Sequence, residues 1–204
     1  MKITLLFSGG LDSTTVLYLL RAQGHEVSCL AIDYGQTHRR ELLAAKDIAE
    51  NLSLSLDVST LQGLWNKAAL VGGSAVPEGD VNSNIIPNRN MIFLAMAMAH
   101  AIENGSEAVA WGPNRDDFGT YPDCRESFAE SMRSSMAISH TFPIQLLTPL
   151  IQMTKAEVVL EAKRLDVPTG ATWSCYTGGR KPCRTCGACV ARSAAFSLAA
   201  TSKP

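Results

Sequence analysis

Short apolar runs alternate along this chain with longer segments in which apolar residues recur at helical spacing. The short runs predict strands at residues 2–7, 27–32, 54–58, 108–111 and 144–147. The longer segments predict helices at residues 13–23, 38–51, 90–103, 127–139 and 154–165. Because strands and helices alternate, and the strands are short and apolar, the pattern predicts an α/β fold. We expect a Rossmann-like parallel sheet with helices on both faces.

Individual positions refine several of these helices. Gly24 follows the first helix as its expected C-cap, and the strongly apolar helix at 90–103 is expected to be buried. Thr154 is the expected N-cap of the last helix, with Glu157 at the capping-box position. The second helix is amphipathic, and its expected apolar side is Leu42, Leu43, Ile48 and Leu52.

Composition places the chain among globular proteins. Hydrophobic residues make up 46% of the 204 residues and charged residues 18%, which is enough apolar surface for a sizeable core. We expect one α/β domain at residues 1–170, with a long glycine- and proline-rich loop at 71–90, and a C-terminal segment at residues 171–204 packed on that domain.

Charge and hydropathy limit the partners. The net charge of −1 lacks the basic footprint of a nucleic-acid-binding surface. No apolar stretch reaches the ~20 residues needed to span a bilayer, so no membrane partner is expected. The apolar run near the first residue is also too short for the core of a signal peptide. We therefore expect a cytoplasmic protein.

Residues 7–14 form a candidate anion site, which we call the glycine loop. They read Phe-Ser-Gly-Gly-Leu-Asp-Ser-Thr and lie between the first predicted strand and the first predicted helix. Gly9 and Gly10 can adopt backbone angles closed to other residues, and the N–H groups of a first helical turn attract an anion. Hydroxyl donors are added by Ser8, Ser13 and Thr14. The loop matches neither the Walker pattern nor Gly-x-Gly-x-x-Gly, and the alternative is an ordinary turn with a Ser or Asp cap.

Three candidate loops directly follow predicted strands, at residues 9–13, 33–39 and 112–125. The carboxyl ends of parallel strands meet at one edge of a sheet, and ligands bind beyond that edge. We therefore expect these loops to converge on one crevice. His38, in the second loop, is either a proton carrier or simply a residue at the start of a helix.

Four of the six cysteines lie close together near the C-terminus, at Cys175, Cys183, Cys186 and Cys189. Four thiolates close a tetrahedral site, so this spacing favours structural zinc. An iron–sulfur cluster and a disulfide framework are the alternatives. Cys29 lies in a predicted strand and is expected in the core, whereas Cys124 lies in a polar loop, where a reactive role stays open.

The Ser-Gly-Gly-x-Asp-Ser sequence of the glycine loop resembles the pyrophosphate loop of the N-type ATP pyrophosphatases. Further matching segments are Asp-Tyr-Gly-Gln-Thr-His at 33–38, Tyr-Pro-Asp-Cys-Arg at 121–125, Thr-Lys-Ala-Glu at 154–157 and the four cysteines. In this order, and nearly end to end, the segments together resemble the 7-cyano-7-deazaguanine synthase family.

This resemblance implies a fold like that of the adenine nucleotide alpha hydrolases and an ATP-dependent ligase of queuosine biosynthesis. Family members convert 7-carboxy-7-deazaguanine and free ammonia to 7-cyano-7-deazaguanine through adenylated intermediates, and they release AMP and pyrophosphate. The implied cofactors are structural zinc on the four cysteines and magnesium bound with ATP. The implied partners are these small molecules and, as an assembly, a homodimer.

The resemblance also implies the residues of the site. Contacts to ATP are expected from Phe7, Ser8, Gly9, Gly10, Leu11, Asp12, Ser13, Thr14, Thr15, Val16 and Leu17. Catalysis is assigned to Ser8, Asp12, Ser13 and Lys155. Contacts to the deazaguanine are expected from Arg89, Asn90, Asp117, Tyr121, Asp123 and Arg125.

The side-chain chemistry suggests a role for several of these residues. Asp12 is expected to hold magnesium, with a helix cap as the alternative. Lys155 and Arg89 are candidate clamps for phosphate or carboxylate. Asp117 or Asp123 could accept N–H bonds from the edge of a guanine-like ring.

The chain departs from the family in two loops. Asn88 stands where members usually have the glycine of Pro-Gly-Arg-Asn, and residues 114–120 lack the usual Ser-Gly pair before Tyr121. Both loops lie near the expected acceptor site, so other functions stay open. They are a related ligase that stops at an amide or conjugates a protein amine, a tRNA sulfurtransferase, and a non-enzymatic nucleotide-binding regulator.

Overall fold

The computed structural model describes residues 1–65, 70–71 and 85–201, so most of the loop predicted at 71–90 lies outside the described residues. The strands are β1 (Lys2–Leu6), β2 (Glu26–Asp33), β3 (Leu56–Thr60), β4 (Ala108–Ala110) and β5 (Gln145–Leu147). The helices are α1 (Leu11–Ala22), α2 (Arg40–Asn51), α3 (Arg89–Glu103), α4 (Glu126–Ile138), α5 (Lys155–Arg164) and α6 (Gly187–Thr201). Short 3-10 helices lie at Arg115–Gly119, Pro122–Cys124 and Thr169–Ala171.

The strands form one parallel sheet in the order β3-β2-β1-β4-β5. β1 is central: Ile3 lies opposite Val27 of β2 on one side and opposite Ala108 of β4 on the other. The chain runs outward from β1 to β3 and then returns to add β4 and β5 on the other side. Ligands of such sheets bind at the carboxyl ends of the strands where this direction reverses, which here is between β1 and β4.

Helices cover both faces of the sheet. Ile3 and Leu5 of β1 pack with residues of α1, α2 and α5. Leu30, Val109 and Leu146 belong to the opposite face and pack with residues of α3 and α4. Successive residues of a strand alternate between faces, so these apolar strands are buried on both sides, and the predicted fold class is confirmed.

The first helix begins and ends close to its predicted positions. α1 begins at Leu11, two residues earlier than predicted, because the extended Gly10 is its N-cap. Its C-cap is Gln23 rather than Gly24. Gly24 follows with a φ of +78°, the left-handed conformation in which glycine commonly ends a helix.

The apolar side predicted for α2 is partly wrong. The buried residues of this helix are Ala44, Ala45, Ile48 and Ala49, whereas Leu43 is 56% exposed. Small alanines let the helix backbone lie close to its neighbours. β3 begins at Leu56, two residues later than predicted, because the Leu54 N–H still donates to the Ala49 carbonyl at the end of α2.

The capping box of α5 is confirmed. Thr154 Oγ1 accepts the Glu157 N–H at 3.2 Å, and Glu157 Oε2 accepts the Thr154 N–H at 2.6 Å. α6 was not predicted, and it packs Ala195 and Ala199 in a core cluster that includes Leu11 of α1. Within the described part of the chain, no helix is long and apolar enough to cross a membrane.

Candidate functional site

The glycine loop packs against α2 so closely that only glycine fits at its centre. Gly9 has a φ of +80°, and a Cβ added there would lie 2.4 Å from the Ala45 nitrogen and 2.7 Å from the Glu41 carbonyl oxygen. Gly10 is the N-cap of α1 and makes no side-chain cap bond. A helix N-terminus beside such a turn can bind an anion through its backbone N–H groups.

The side chains of the predicted ATP-binding residues fall into different environments. Ser8 is exposed, and its Oγ accepts the Gly10 N–H and lies 3.2 Å from Ser13 Oγ. The Thr14 and Thr15 hydroxyls instead donate to helix carbonyls, at 2.7 and 2.8 Å. Core positions are occupied by Phe7, Leu11, Val16 and Leu17, which offer a ligand no polar side chain.

Asp12 and Lys155 form an ion pair that joins α1 to α5. Lys155 Nζ donates to Asp12 Oδ2, and the Lys155 and Asp12 side chains are 21% and 23% exposed. Asp12 Oδ1 is buried and has no hydrogen-bond partner among the described residues. A buried carboxylate oxygen without a partner is costly, so the environment of Asp12 fits a bound cation better than a helix cap.

Asp117 brings a second carboxylate close to Asp12. Its Oδ2 accepts the Asn114 N–H at 3.3 Å and the Asn114 side-chain amide at 2.8 Å. Burial and, after it, the Asp12 carboxylate raise the pKa of Asp117, Lys155 partly offsets them, and the net pKa is about 6. The loop at 112–125 therefore meets the glycine loop, as the positions of the strands predict.

Asp117→Asn should stabilise the ligand-free protein, and more at about pH 7.5 than at about pH 5. The folded-state pKa of about 6 lies above the ordinary value of 3.8, so ionisation of Asp117 opposes folding, increasingly as the pH rises between these values. An asparagine oxygen can still accept both Asn114 bonds. Thermal unfolding at both pH values measures the gain in stability, because each kcal/mol raises the Tm by ~2–4 °C in a protein of this size. An equal gain at both would contradict the raised pKa.

The residues assigned to the deazaguanine gather around the start of α3. Arg89 is partly buried, hydrogen-bonds Tyr34 and interacts electrostatically with Tyr176. The Asn90 N–H donates to Asp123 Oδ2 at 3.2 Å, and the Asn90 amide donates to the Asp123 carbonyl at 3.4 Å. These bonds join the loop at 121–125 to the end of α3 that carries Arg89. We call this group the Arg89 cluster, formed by Tyr34, Arg89, Tyr121 and Tyr176.

The side chains of Tyr121 and Arg125 extend to different partners. The Tyr121 hydroxyl lies 3.4 Å from the Tyr176 hydroxyl, so Tyr121 points into the Arg89 cluster. Arg125 is exposed, and its Nε donates to the Phe118 carbonyl at 2.9 Å. The structure therefore brings Arg89, Asn90, Tyr121 and Asp123 together, whereas the Arg125 guanidinium is bound to its own loop.

Two residues near this cluster answer questions that the sequence left open. Asn88 has a φ of +54°, and asparagine adopts this left-handed conformation more readily than other residues with a side chain. The backbone shape that the family's usual glycine permits is thus kept. Cys124 is buried, and burial raises the pKa of its thiol well above the usual range, which argues against a reactive role.

The four C-terminal cysteines form one compact group. Their Sγ atoms all lie within 4.8 Å of one another, and all are free thiols. The Cys183 N–H donates to Cys175 Sγ and the Cys186 N–H to Cys183 Sγ, both at 3.3 Å. Hydrogen bonds, the one from the Cys186 N–H first, lower the pKa of Cys183 to about 5, whereas burial raises the pKa values of Cys186 and Cys189. The group can therefore hold a metal ion through four sulfurs.

Residues that the sequence analysis missed connect the cysteine segment to the rest of the site. The backbone N–H of Trp173 donates to the Gly9 carbonyl at 3.0 Å. The Arg40 guanidinium lies 5.2 Å from the centroid of the Trp173 ring. Tyr176 joins the Arg89 cluster directly after Cys175. Aromatic residues flanking the first cysteine were a signal in the sequence, but their partners are distant along the chain.

Matches to known proteins cover nearly the whole chain. The sequence model of the family described as "Queuosine biosynthesis protein QueC" matches residues 2–200. The chain belongs to the QueC family. Two relatives are both named 7-cyano-7-deazaguanine synthase. The protein of Archaeoglobus fulgidus is 38% identical over 96% of this chain and 86% of its own length. The protein of Synechococcus sp. (strain CC9902) is 40% identical over 94% of this chain and 90% of its own length.

Solved structures with a similar fold carry other names. U34-tRNA thiolase NcsA from Methanococcus maripaludis, with its 4Fe-4S cluster, matches 97% of this QueC-family chain and 65% of its own, with a TM-score of 0.53 and 20% identity. NH3-dependent NAD synthetase from Campylobacter jejuni matches 83% of this chain and 66% of its own chain. Its TM-score is 0.51 and its sequence identity is 17%. At these identities the likeness shows the fold alone.

Proposed function

We propose that this chain is a 7-cyano-7-deazaguanine synthase, an ATP-dependent ligase that converts 7-carboxy-7-deazaguanine and ammonia to the nitrile. The observation that carries the proposal is the glycine loop with its Asp12–Lys155 pair, which lies at the switch point of a QueC-family sheet. The Arg89 cluster includes Tyr34, which directly follows β2, and so lies at the same carboxyl edge of the sheet. A phosphate site beside a cationic acceptor site suits the transfer of AMP to a carboxylate.

Adenylation is the first step of the proposed reaction. A carboxylate oxygen of the substrate attacks the α-phosphorus of ATP, and the bond to pyrophosphate breaks. The N-terminus of α1, the Ser8 and Ser13 hydroxyls and Lys155 are suited to bind the departing pyrophosphate. Magnesium bound with ATP would offset phosphate charge, and the unpartnered Asp12 Oδ1 is the described oxygen that fits it.

The acceptor is proposed to bind in the Arg89 cluster. The Arg89 guanidinium would orient the carboxylate toward the α-phosphate, and Asp117 or Asp123 would accept N–H bonds from the ring. Free ammonia then displaces AMP and leaves an amide. A second ATP activates the amide oxygen, and loss of AMP leaves the nitrile.

The cysteine group is proposed to hold structural zinc. Four sulfurs in mutual reach satisfy a tetrahedral site and leave no open position for substrate. Zinc would supply a cross-link for residues 171–204, which we propose as a metal-held segment packed on the ATP-binding domain. That segment holds Trp173 against the glycine loop and Tyr176 in the Arg89 cluster.

The proposed partners are ATP, the deazaguanine carboxylate and ammonia. We also propose the homodimer and the cytoplasmic location that the resemblance implies. Size measurement in solution tests the assembly, and cell fractionation tests the location.

Product analysis tests the reaction itself. With 7-carboxy-7-deazaguanine, magnesium ATP and ammonium, mass spectrometry should show the nitrile, with AMP released at both activation steps. An amide as the end product would instead indicate a related ligase that stops earlier. Absence of AMP would show that the acceptor is another compound.

Asp12→Asn should reduce turnover by ~10²-fold or more, because the neutral amide is a weaker partner for both magnesium and Lys155. Steady-state release of pyrophosphate measures the effect. Asp47→Asn is the matched control, since Asp47 is exposed on α2, and its turnover should equal that of the wild type. Unchanged turnover in Asp12→Asn would remove Asp12 from the site.

A further inference from the structure

We propose that Glu41 binds the ammonium ion and accepts the protons that leave its nitrogen, an inference that rests on the proposed synthase reaction. Glu41 lies in the first turn of α2, between the glycine loop and the Arg89 cluster. A carboxylate in this position can meet a nitrogen that attacks the activated acceptor.

One side of Glu41 faces the glycine loop. Its carbonyl oxygen lies 2.7 Å, and its Oε1 3.5 Å, from the points where a Cβ on Gly9 and a Cβ on Gly10 would lie. The Gly9 position is filled by the backbone of α2, so the room beside the Glu41 carboxylate is the Gly10 position, which is lined by Glu41 Oε1, Ser8 Oγ and the Trp173 carbonyl oxygen. A nucleophile held there would lie beside the phosphate site.

The Glu41 carboxylate also lies within electrostatic range of the proposed acceptor site. The Glu41 carboxylate interacts electrostatically with Arg89, Tyr34 and Tyr176. Tyr176 also reaches Tyr121 in the loop at 121–125. The same carboxylate is thus near groups assigned to both substrates.

His38 holds the Glu41 side chain in place. His38 Nε2 lies 3.1 Å from Glu41 Oε2, and the Glu41 N–H donates to the His38 carbonyl at 3.0 Å. The His38 side chain is only 5% exposed, and its ring packs 5.6 Å from the ring of Tyr176. His38 is therefore a positioning residue, whereas the partly exposed Glu41 carboxylate is available to a ligand through Oε1.

Four carboxylates described around the crevice each use one oxygen for a contact within the protein. Asp12 pairs with Lys155, Asp123 Oδ2 accepts the Asn90 N–H, and Asp117 Oδ2 accepts two bonds from Asn114. Glu41 uses Oε2 for His38 and directs Oε1 toward Gly10. Glu41 Oε1 lies beside Gly10 and is assigned to no other ligand, which makes Glu41 the candidate proton acceptor.

The reaction removes every hydrogen of the ammonium ion. One proton leaves to free the nitrogen lone pair. A second leaves when the C–N bond forms and the C–O bond to AMP breaks, with the electron pair departing on AMP. The last two leave when the activated amide loses its AMP, again with the electron pair, and becomes the nitrile. Glu41 takes each proton and passes it to solvent before the next transfer.

Glu41→Gln separates this role from adenylation. Exchange of labelled pyrophosphate into ATP, with 7-carboxy-7-deazaguanine and without ammonium, reports adenylation alone and should persist. Release of AMP with ammonium should fall by ~10²–10⁴-fold, with a higher KM for ammonium. Hydroxylamine is uncharged at neutral pH and needs no first deprotonation, so the rate of hydroxamate formation should fall less than the rate of the ammonium reaction.

Glu50→Gln is the matched control, because Glu50 lies on the same helix with its side chain 65% exposed. Its rates of pyrophosphate exchange, AMP release and hydroxamate formation should stay at wild-type values. If Glu41→Gln unfolds, Glu41→Asp replaces it, and an unchanged KM for ammonium then contradicts the proposal. Full ammonium turnover in Glu41→Gln, or loss of pyrophosphate exchange in the folded variant, also overturns it. Absence of exchange in the wild type instead overturns the proposed function, and this inference with it.

Discussion

Gly9→Ala should destabilise the protein by more than ~3 kcal/mol and abolish ATP-dependent turnover. The φ of +80° disfavours any side chain, and a Cβ would lie 2.4 Å from the Ala45 nitrogen and 2.7 Å from the Glu41 carbonyl oxygen. Both obstacles are backbone atoms of α2, so no side-chain rotation can relieve the contact. Urea unfolding and pyrophosphate release measure the two effects.

Gly24→Ala is the matched control for this change. Gly24 has nearly the same φ, +78°, but nothing lies within 4 Å of the position that a Cβ would take. The variant should lose only the ~1–2 kcal/mol of left-handed strain and keep its turnover. Equal losses at the two glycines would show that strain alone, rather than contact with α2, sets the effect at Gly9.

Cys186→Ala should remove the metal from the protein and loosen residues 171–201. Cys186 is only partly buried, so its loss creates little cavity, whereas a metal held by the four cysteines would lose one sulfur ligand. Closed zinc sites contribute about 10–16 kcal/mol of apparent folding free energy in zinc-finger peptides, so a broken site should leave this segment open to proteolysis. Metal analysis and limited proteolysis measure the result.

The displaced segment should also affect the site. Because Tyr176 follows Cys175 and lies 3.4 Å from the Tyr121 hydroxyl, loss of the metal should raise the KM for the deazaguanine. Cys29→Ala is the control, since this buried thiol lies in β2 away from the cluster and its removal should leave the metal content unchanged. Metal retained in Cys186→Ala would contradict the four-cysteine site, and iron with acid-labile sulfide in the wild type would contradict zinc.

The fold was predictable where its signals are local. The Thr154–Glu157 capping box lies within one helical turn, and α5 begins where the sequence places it. The strands are short apolar runs, and their alternation with helices requires a parallel sheet. Local signals failed for α2, where Leu43 is exposed and Ala45 is buried, because contact with the glycine loop decides which face is covered.

The sequence by itself determined the parts of the site that are continuous in the chain. The glycine loop and the cysteine spacing each place their groups within a few residues, so backbone geometry alone brings them together. These two motifs, with the short segments between them, also carry the resemblance that the match to the QueC family confirms.

The tertiary structure alone decided how separate segments meet. Asp12 and Lys155 pair across 143 positions, and Trp173 binds Gly9, because β1 lies at the centre of the sheet and later segments pack around its carboxyl end. Glu41 shows no motif in the sequence. Its position between two sites arises because the alanines of α2 let that helix approach the glycine loop to contact distance.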